Sequence, residues 1–255
     1  MKTTFKWMFA AILLCGLTIA SCTKDPQPTP EPEPQTLTFL AREEGRYANS
    51  MYSVKSSADY IWENGKLTRV CDTVSMVLAT SVTQEKMVYE DDKIVRIEEE
   101  NGKWEHHFTY EDDLIVNFLS FNRDGDSSLW GTVSYNAEGL VEEIMYHDRV
   151  KTTKWSLTWL DGDATVVEEN ILAPAELAET RVYTYVYDDK PCAYTGFPMA
   201  YCIFDGDGNR VATRQSKHNM ILEGYTNNYD DNGLLTSIAA ENDTIFYHYI
   251  EQTVR

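Results

Sequence analysis

One short pattern recurs along the chain and limits what it can become: an alternating strand that ends in an aromatic residue, a polar turn, then an aliphatic strand. It appears as Tyr60-Ile-Trp62-Glu-Asn-Gly-Lys-Leu67, Val88-Tyr89-Glu-Asp-Asp-Lys-Ile94, Phe108-Thr-Tyr110-Glu-Asp-Asp-Leu114 and Val133-Ser-Tyr135-Asn-Ala-Glu-Gly-Leu140. Leu157-Thr-Trp159-Leu-Asp-Gly-Asp163, Tyr185-Val-Tyr187-Asp-Asp-Lys190 and Asn228-Tyr229-Asp-Asp-Asn-Gly-Leu234 continue it. Ile203-Phe204-Asp-Gly-Asp-Gly-Asn-Arg-Val211 reads as a degenerate copy. The interval between copies varies, which means hairpins with unequal outer loops rather than a strict solenoid.

Residues two apart on a strand project to one face, so Phe108 and Tyr110 share one. Asp, Asn and Gly tolerate the left-handed backbone of tight hairpin turns. The strands hold the β-branched and aromatic residues that a half-buried pleat favours. These units predict an all-β domain over residues 37–255: a meander of antiparallel hairpins from seven or eight repeats, in one twisted sheet rolled into an open barrel. A two-sheet sandwich is the alternative. One short helix is expected over Ala173–Glu179, with Pro174 in its first turn, inside a loop insertion.

Tyr135-Asn-Ala-Glu-Gly-Leu140 and Tyr229-Asp-Asp-Asn-Gly-Leu234 resemble the YD repeat of Rhs-type proteins, Tyr-Asp-x-x-Gly-Arg-Leu. Spacing here is looser, and the residue before the aliphatic is not reliably Arg. In Rhs proteins dozens of repeats build a hollow shell around a toxin. Seven or eight units cannot enclose one, so the resemblance implies a hairpin fold and not that function.

The amino terminus has its own logic. Lys2 and Lys6 precede an apolar run, Trp7 to Ile19, and the small residues Ala20 and Ser21 precede Cys22. That is the layout of a secretory signal, over residues 1–21. Its apolar core is shorter than the ~20 residues a spanning helix needs. Ile19-Ala20-Ser21-Cys22 resembles the lipobox of bacterial lipoproteins, which implies lipidation of the Cys22 sulfur and removal of the preceding peptide. Several acyl chains, at ~0.8 kcal/mol per buried methylene, hold a protein to a membrane effectively for good. Thr23 stands where an inner-membrane retention aspartate would, so the outer membrane is the expected location. Lys24 and Asp25 resemble the charged start of surface-exposed Bacteroidetes lipoproteins. Pro26-Gln-Pro-Thr-Pro-Glu-Pro-Glu-Pro34 favours polyproline II and reads, within residues 22–36, as a tether. With this terminus, the repeats look like those of a family of Bacteroidetes lipoproteins.

The net charge is −19, with 41 acidic against 22 basic residues. Phosphate binding needs a basic face, so nucleic acid is excluded as a partner. Past the signal and the anchor, Cys71, Cys192 and Cys202 remain. The compartment permits a disulfide. Cys192 and Cys202 flank a segment with Gly196 and Pro198, which leaves open either a bridge or two buried thiols.

No linear catalytic motif appears. Asp205-Gly-Asp207-Gly-Asn209 places oxygens at the first three ligand positions of a calcium loop, but Arg210 stands where glycine belongs and Ser216 where glutamate belongs. Turn chemistry explains it as well. His106 and His107 are neighbours and face opposite sides of a strand, so they cannot share a metal, whereas Glu105 and His107 can share a face. Trp104, Trp130 and Trp155 lie outside the repeat's turn-flanking position and are the candidates for stacking on sugars. The expectation is a non-enzymatic envelope lipoprotein, without cofactor, that binds or scaffolds a protein partner. A glycan-binding surface lipoprotein and a hydrolase without a linear motif are the alternatives.

Overall fold

The computed structural model describes residues 34–48, 53–174, 176, 178–204 and 206–254. The signal, Cys22 and most of the tether lie outside these residues.

Six of the repeats are β-hairpins: β2 (Ser53–Glu63) with β3 (Lys66–Met76), β4 (Ala79–Glu90) with β5 (Lys93–Glu99), β6 (Trp104–Glu111) with β7 (Leu114–Asn122). β8 (Ser127–Tyr135) with β9 (Val141–Asp148) and β10 (Thr152–Leu160) with β11 (Asp163–Ala173) follow. Near the end, β15 (Thr226–Tyr229) pairs with β16 (Leu235–Ala239). The turns form for the reasons read from the sequence. Both central residues of Asn64-Gly65, Asp91-Asp92 and Asp161-Gly162 have positive φ. In the longer loops, Asn136 Oδ1 accepts the backbone N–H groups of Glu138 and Leu140, and Asp230 Oδ1 those of Asn232 and Leu234. The Asx residue of the YD-like motif is therefore a loop staple.

The hairpins join into one antiparallel sheet of 15 strands, which confirms the rolled meander and sets aside the two-layer sandwich. β12 (Glu179–Thr184) forms one edge and β15 the other. The order is sequential except at one place. The last strand, β17 (Asp243–Val254), pairs with β1 (Gln35–Ala48) along its length. The two ends of the chain thus build a hairpin between them, with a bulge at Leu40/Arg42.

Every hairpin carries a bulge beside its aromatic, at Trp62, Tyr89, Tyr110, Tyr135, Trp159 and Tyr229. A bulge leaves one residue unpaired and bends the strand. In three units the extra residue is threonine, and its hydroxyl bonds across to the partner strand: Thr68 to Ile61, Thr165 to Thr158, Thr236 to Asn228. The aliphatic carbonyl at each bulge is met by the aromatic of the next unit. Tyr89, Tyr110 and Tyr135 donate their hydroxyls to the carbonyls of Leu67, Ile94 and Ile115, each at 2.9 Å. Trp62 Nε1 donates to Leu40 at 2.8 Å and Trp159 Nε1 to Val141 at 2.6 Å. Tyr249 reaches Leu235 and Tyr187 reaches Ala164.

The segment between β12 and β15 departs from the repeat. β13 (Val186–Pro191) and β14 (His218–Ile221) form a small separate sheet around two helices, α1 (Met199–Ile203) and α2 (Gly208–Gln215). These helices pack on the inner face of the rolled sheet. Tyr60 and Trp62 meet Phe197 edge-on, and His106 meets Phe204. Two repeat units thus correct the hairpin reading: the turn expected in Tyr185–Lys190 lies within β13, and the degenerate unit begins at the end of α1 and finishes inside α2. The Asp207 side chain caps α2 by accepting from Asn209 N–H, and Val211 and Ala212 are fully buried. The helix expected over Ala173–Glu179 falls partly outside the described residues; Ala173 ends β11 and Glu179 opens β12. Among the described residues no helix is long and apolar enough to cross a membrane.

The carbonyl ladder makes a direct prediction. Tyr135→Phe keeps the ring and strands the Ile115 carbonyl, so urea unfolding should show a loss of about 1–2 kcal/mol. An unchanged midpoint would mean that the bond adds nothing.

Candidate functional site

The inner face of the sheet is apolar under the helices and charged beside them. Residues two apart share a face, so Asp72 lies in phase with buried Val70, and Glu85 in phase with buried Met87. Glu99 sits directly opposite Glu85 across β4 and β5. Glu43 on β1 joins them, accepting hydrogen bonds from the hydroxyls of Tyr194 at 2.7 Å and Tyr60 at 3.4 Å. From α2, Arg210 and Arg214 point toward this group, one helical turn apart. Between sheet and helix is a cleft of about 370 Å³, lined by Glu43, Ser56, Tyr60, Asp72, Tyr201, Arg210 and Arg214 among others.

Its electrostatics are uneven. Burial raises the Asp72 carboxyl, while Arg214 and Arg210 pull it down by a lesser amount. Burial, then the charge of Asp72, pushes Glu85 up to about 7. Glu85 is 8% exposed, and its Oε2 has no hydrogen-bond partner among the described residues. Like charges opposite each other on a sheet destabilise it, and Glu85 and Glu99 are such a pair. Arg214 is held by aromatic faces, with its guanidinium 4.8 Å from the Tyr201 ring and 5.3 Å from that of Tyr194. Its Nη1 is shut off from solvent and likewise lacks a partner among the described residues. On the same inner face His106 lies 2.7 Å from Ser120 Oγ, and burial lowers its pKa to about 4.

Three sequence candidates are relocated. Trp155 is buried under α2, where a Cβ on Gly208 would come within 2.8 Å of it, so it cannot stack on a sugar. Cys192 and Cys202 are reduced, buried thiols and not a disulfide. Cys192 Sγ donates to the Thr213 carbonyl, and Cys202 Sγ accepts from Gln215. The calcium pattern is the start of α2. Asp207 caps the helix and Asn209 Oδ1 accepts the Tyr185 hydroxyl, while Asp205 lies outside the described residues. Gly206 and Gly208 let that turn approach Tyr146 and Trp155 closely. No group of three or more His, Cys, Asp or Glu among the described residues could hold a metal ion.

Other candidates keep their expected places. His106 faces in and His107 out, the latter 3.1 Å from Glu105. Trp104 is half-buried. Trp130 is 49% exposed on the convex face and stacks on His147 at 3.7 Å. It borders a groove of about 430 Å³ that also includes His107, Leu119 and Phe121.

Sequence reading missed His218, whose Nδ1 lies 2.7 Å from Asp163 Oδ2 while its backbone N–H donates to Oδ1. The pair resembles a base and its orienter. However, Ser216, two residues earlier, donates to the Ala212 carbonyl at 2.6 Å and not to the histidine. The Asp163 carboxylate thus clamps β14 to the β10–β11 turn.

No family model matches this sequence, and no curated protein matches it. Among solved structures, the fold is similar to that of a porin-like protein from Bacteroides uniformis, with a TM-score of 0.54 at 13% identity, covering 83% of this chain and 96% of that chain. At that identity the likeness shows the fold.

Glu85 supplies a pH test. Its folded-state pKa is raised above the ordinary carboxylate value, so the folded form binds the proton more tightly than the unfolded form. Its contribution to stability is complete below about 4.5 and is lost as pH rises through about 7. Glu85→Gln should therefore match the native chain at pH 4 and exceed it at pH 8 by up to about 3 kcal/mol in denaturant melts. Equal stability at both pH values would contradict the buried, uncompensated charge.

Proposed function

We propose that this chain is a lipid-anchored outer-membrane lipoprotein that binds a protein partner without catalysing a reaction. The observation that carries the binding role is the tip of the β3–β4 hairpin. From Thr73 to Gln84 no residue is charged, in a chain where 25% of residues are. At that tip Leu78 is 95% exposed and Val77 73% exposed, with Met76 and Val82 beside them. Contiguous exposed apolar surface of this kind marks contact sites. The chain enters the domain at Gln35, which pairs with Val254 at the Gly65 end of the strands. The tip is at the other end of β3, whose 11 residues span roughly 36 Å. The tip therefore lies at the opposite end of the strands from Gln35.

The porin-like relative in fold supports an envelope setting. The convex face of this sheet carries ion pairs such as Arg69–Glu100 and Lys154–Glu143, whereas a barrel wall in lipid needs an apolar band about 25 Å tall. The lipobox, rather than the sheet, therefore holds this protein to the membrane in our reading. The YD-like repeats serve as the scaffold behind the tip.

Trp130 supports a second reading, glycan binding, because its exposed ring edges a groove. One exposed ring is a weak platform compared with a row of them. Slowed migration of the native chain, but not of Trp130→Ala, in a polysaccharide gel would favour it.

Two experiments test the main proposal. Cys22→Ala should release the protein from membranes and abolish labelling by a fatty-acid analogue; continued labelling refutes the anchor. A photo-crosslinker at Val77 should trap a discrete complex in intact cells, and Leu78→Asp should abolish it while leaving the unfolding midpoint unchanged within about 0.5 kcal/mol. No complex from the tip, or one unaffected by Leu78→Asp, counts against the docking role.

A further inference from the structure

We propose that the interior cleft binds a small zwitterion, an α-amino acid or short peptide, with its carboxylate on Arg214 and its ammonium on Asp72. Groups of both signs line the site, Arg214 and Asp72. Arg214 Nη1 is closed off from water and unpartnered among the described residues. A buried polar group without a partner is costly, more so when charged, and native structures hold few of them.

Nor do these groups satisfy one another. Asp72 and Arg214 line the same cleft and each feels the other's charge, yet no ion pair joins them among the described residues. Arg214 is held back by Tyr194, Phe197 and Tyr201, whose faces fix the guanidinium 4.8 to 6.0 Å from their centroids. Asp72 is fixed by its place on β3. A space therefore separates a pre-positioned cation from a pre-positioned anion. At about 370 Å³ the cleft falls in the lower part of the range for small-molecule sites.

The class of ligand follows from the charges. A lone anion would leave Asp72 unanswered beside it. A lone cation would leave Arg214 unanswered. A ligand with an ammonium and a carboxylate a few bonds apart answers both, and its carboxylate can take the guanidinium in a charge-assisted bond. Ser56, in phase with Tyr60 on the cleft wall, suits the polar remainder.

The test uses the purified full chain in isothermal titration calorimetry, with a panel of free α-amino acids and dipeptides, each compared with its N-acetylated and its C-amidated form. Saturable one-to-one binding is expected for at least one free zwitterion, weakened at least tenfold by either block. Arg214→Gln should remove binding. The blocked ligands probe both poles on the native chain, so the conclusion stands even if that variant fails to fold. No heat from any member of the panel, or binding that survives either block, overturns the proposal. Neither result bears on the anchor or on the hairpin tip, which are read by labelling and crosslinking.

Discussion

The hydrogen bond from each repeat's aromatic to the bulge carbonyl of its neighbour is the interaction on which the rest of the fold depends. The bulge is needed because a flat sheet of 15 strands has no interior. Each bulge bends its hairpin but leaves a carbonyl out of the ladder. That carbonyl must find a donor, since an orphaned buried acceptor costs what a hydrogen bond contributes. The aromatic on the neighbouring strand of the next unit supplies it. The bonds run in an unbroken series, from Tyr187 on Ala164 through Trp159, Tyr135, Tyr110 and Tyr89 to Trp62 on Leu40, then Tyr249 on Leu235. Each unit thus depends on its neighbour, as in repeat arrays generally.

Such an array has a problem at its ends, and this one meets it twice. The β1–β17 pair takes its aromatic, Tyr249, from the last described strand and its aliphatic, Leu40, from the first, so this unit ties the two together. At the open edge, Tyr229 has no next bulge carbonyl to reach. Its hydroxyl goes to Asp188 on β13 instead, and Asn227 joins the same carboxylate at 3.0 Å. Since Tyr187, one residue away, belongs to the ladder at the other edge, β13 spans the opening through side chains while the backbone ladder stays open. Exposed edges invite pairing with other chains, and this arrangement covers part of one.

The hairpins were legible because turn chemistry is local. Asn64-Gly65 and Asp161-Gly162 announce positive φ, and the aromatic two residues before the turn announces the bulge. What escaped the sequence is what depends on distance along the chain. The closing hairpin is invisible because its halves lie about as far apart as the domain allows. α2 was hidden because Asp-Gly-Asp-Gly serves a hairpin turn and a capped helix start equally well, and only contact with Tyr146 and Trp155 decides between them. Cys192 and Cys202 flank a helix-bearing turn, which holds their sulfurs in different hydrogen bonds. A signal for the cleft was present but unread: Asp72 and Glu85 are charged residues in phase with a buried face, the kind of local rule-breaking that tends to mark function.

Asp72 and Glu85 also belong to the two strands whose far end is the uncharged tip. Thr73 and Val74 line the cleft, and Val74 begins the exposed apolar stretch. The β3–β4 hairpin is thus one lever with a charged inner end and an apolar outer end. Antiparallel backbone bonds from Arg69–Lys86 to Met76–Ala79 tie the two strands together, so a shift of one end is carried along the register. Any ligand that answers the charges inside acts on the same element that a partner would grip outside. If occupancy of one end alters affinity at the other, linkage requires the reverse effect to be equal in size. In the proposed reading both sites lie on one hairpin, and a measured linkage between them would separate a coupled binder from an inert scaffold.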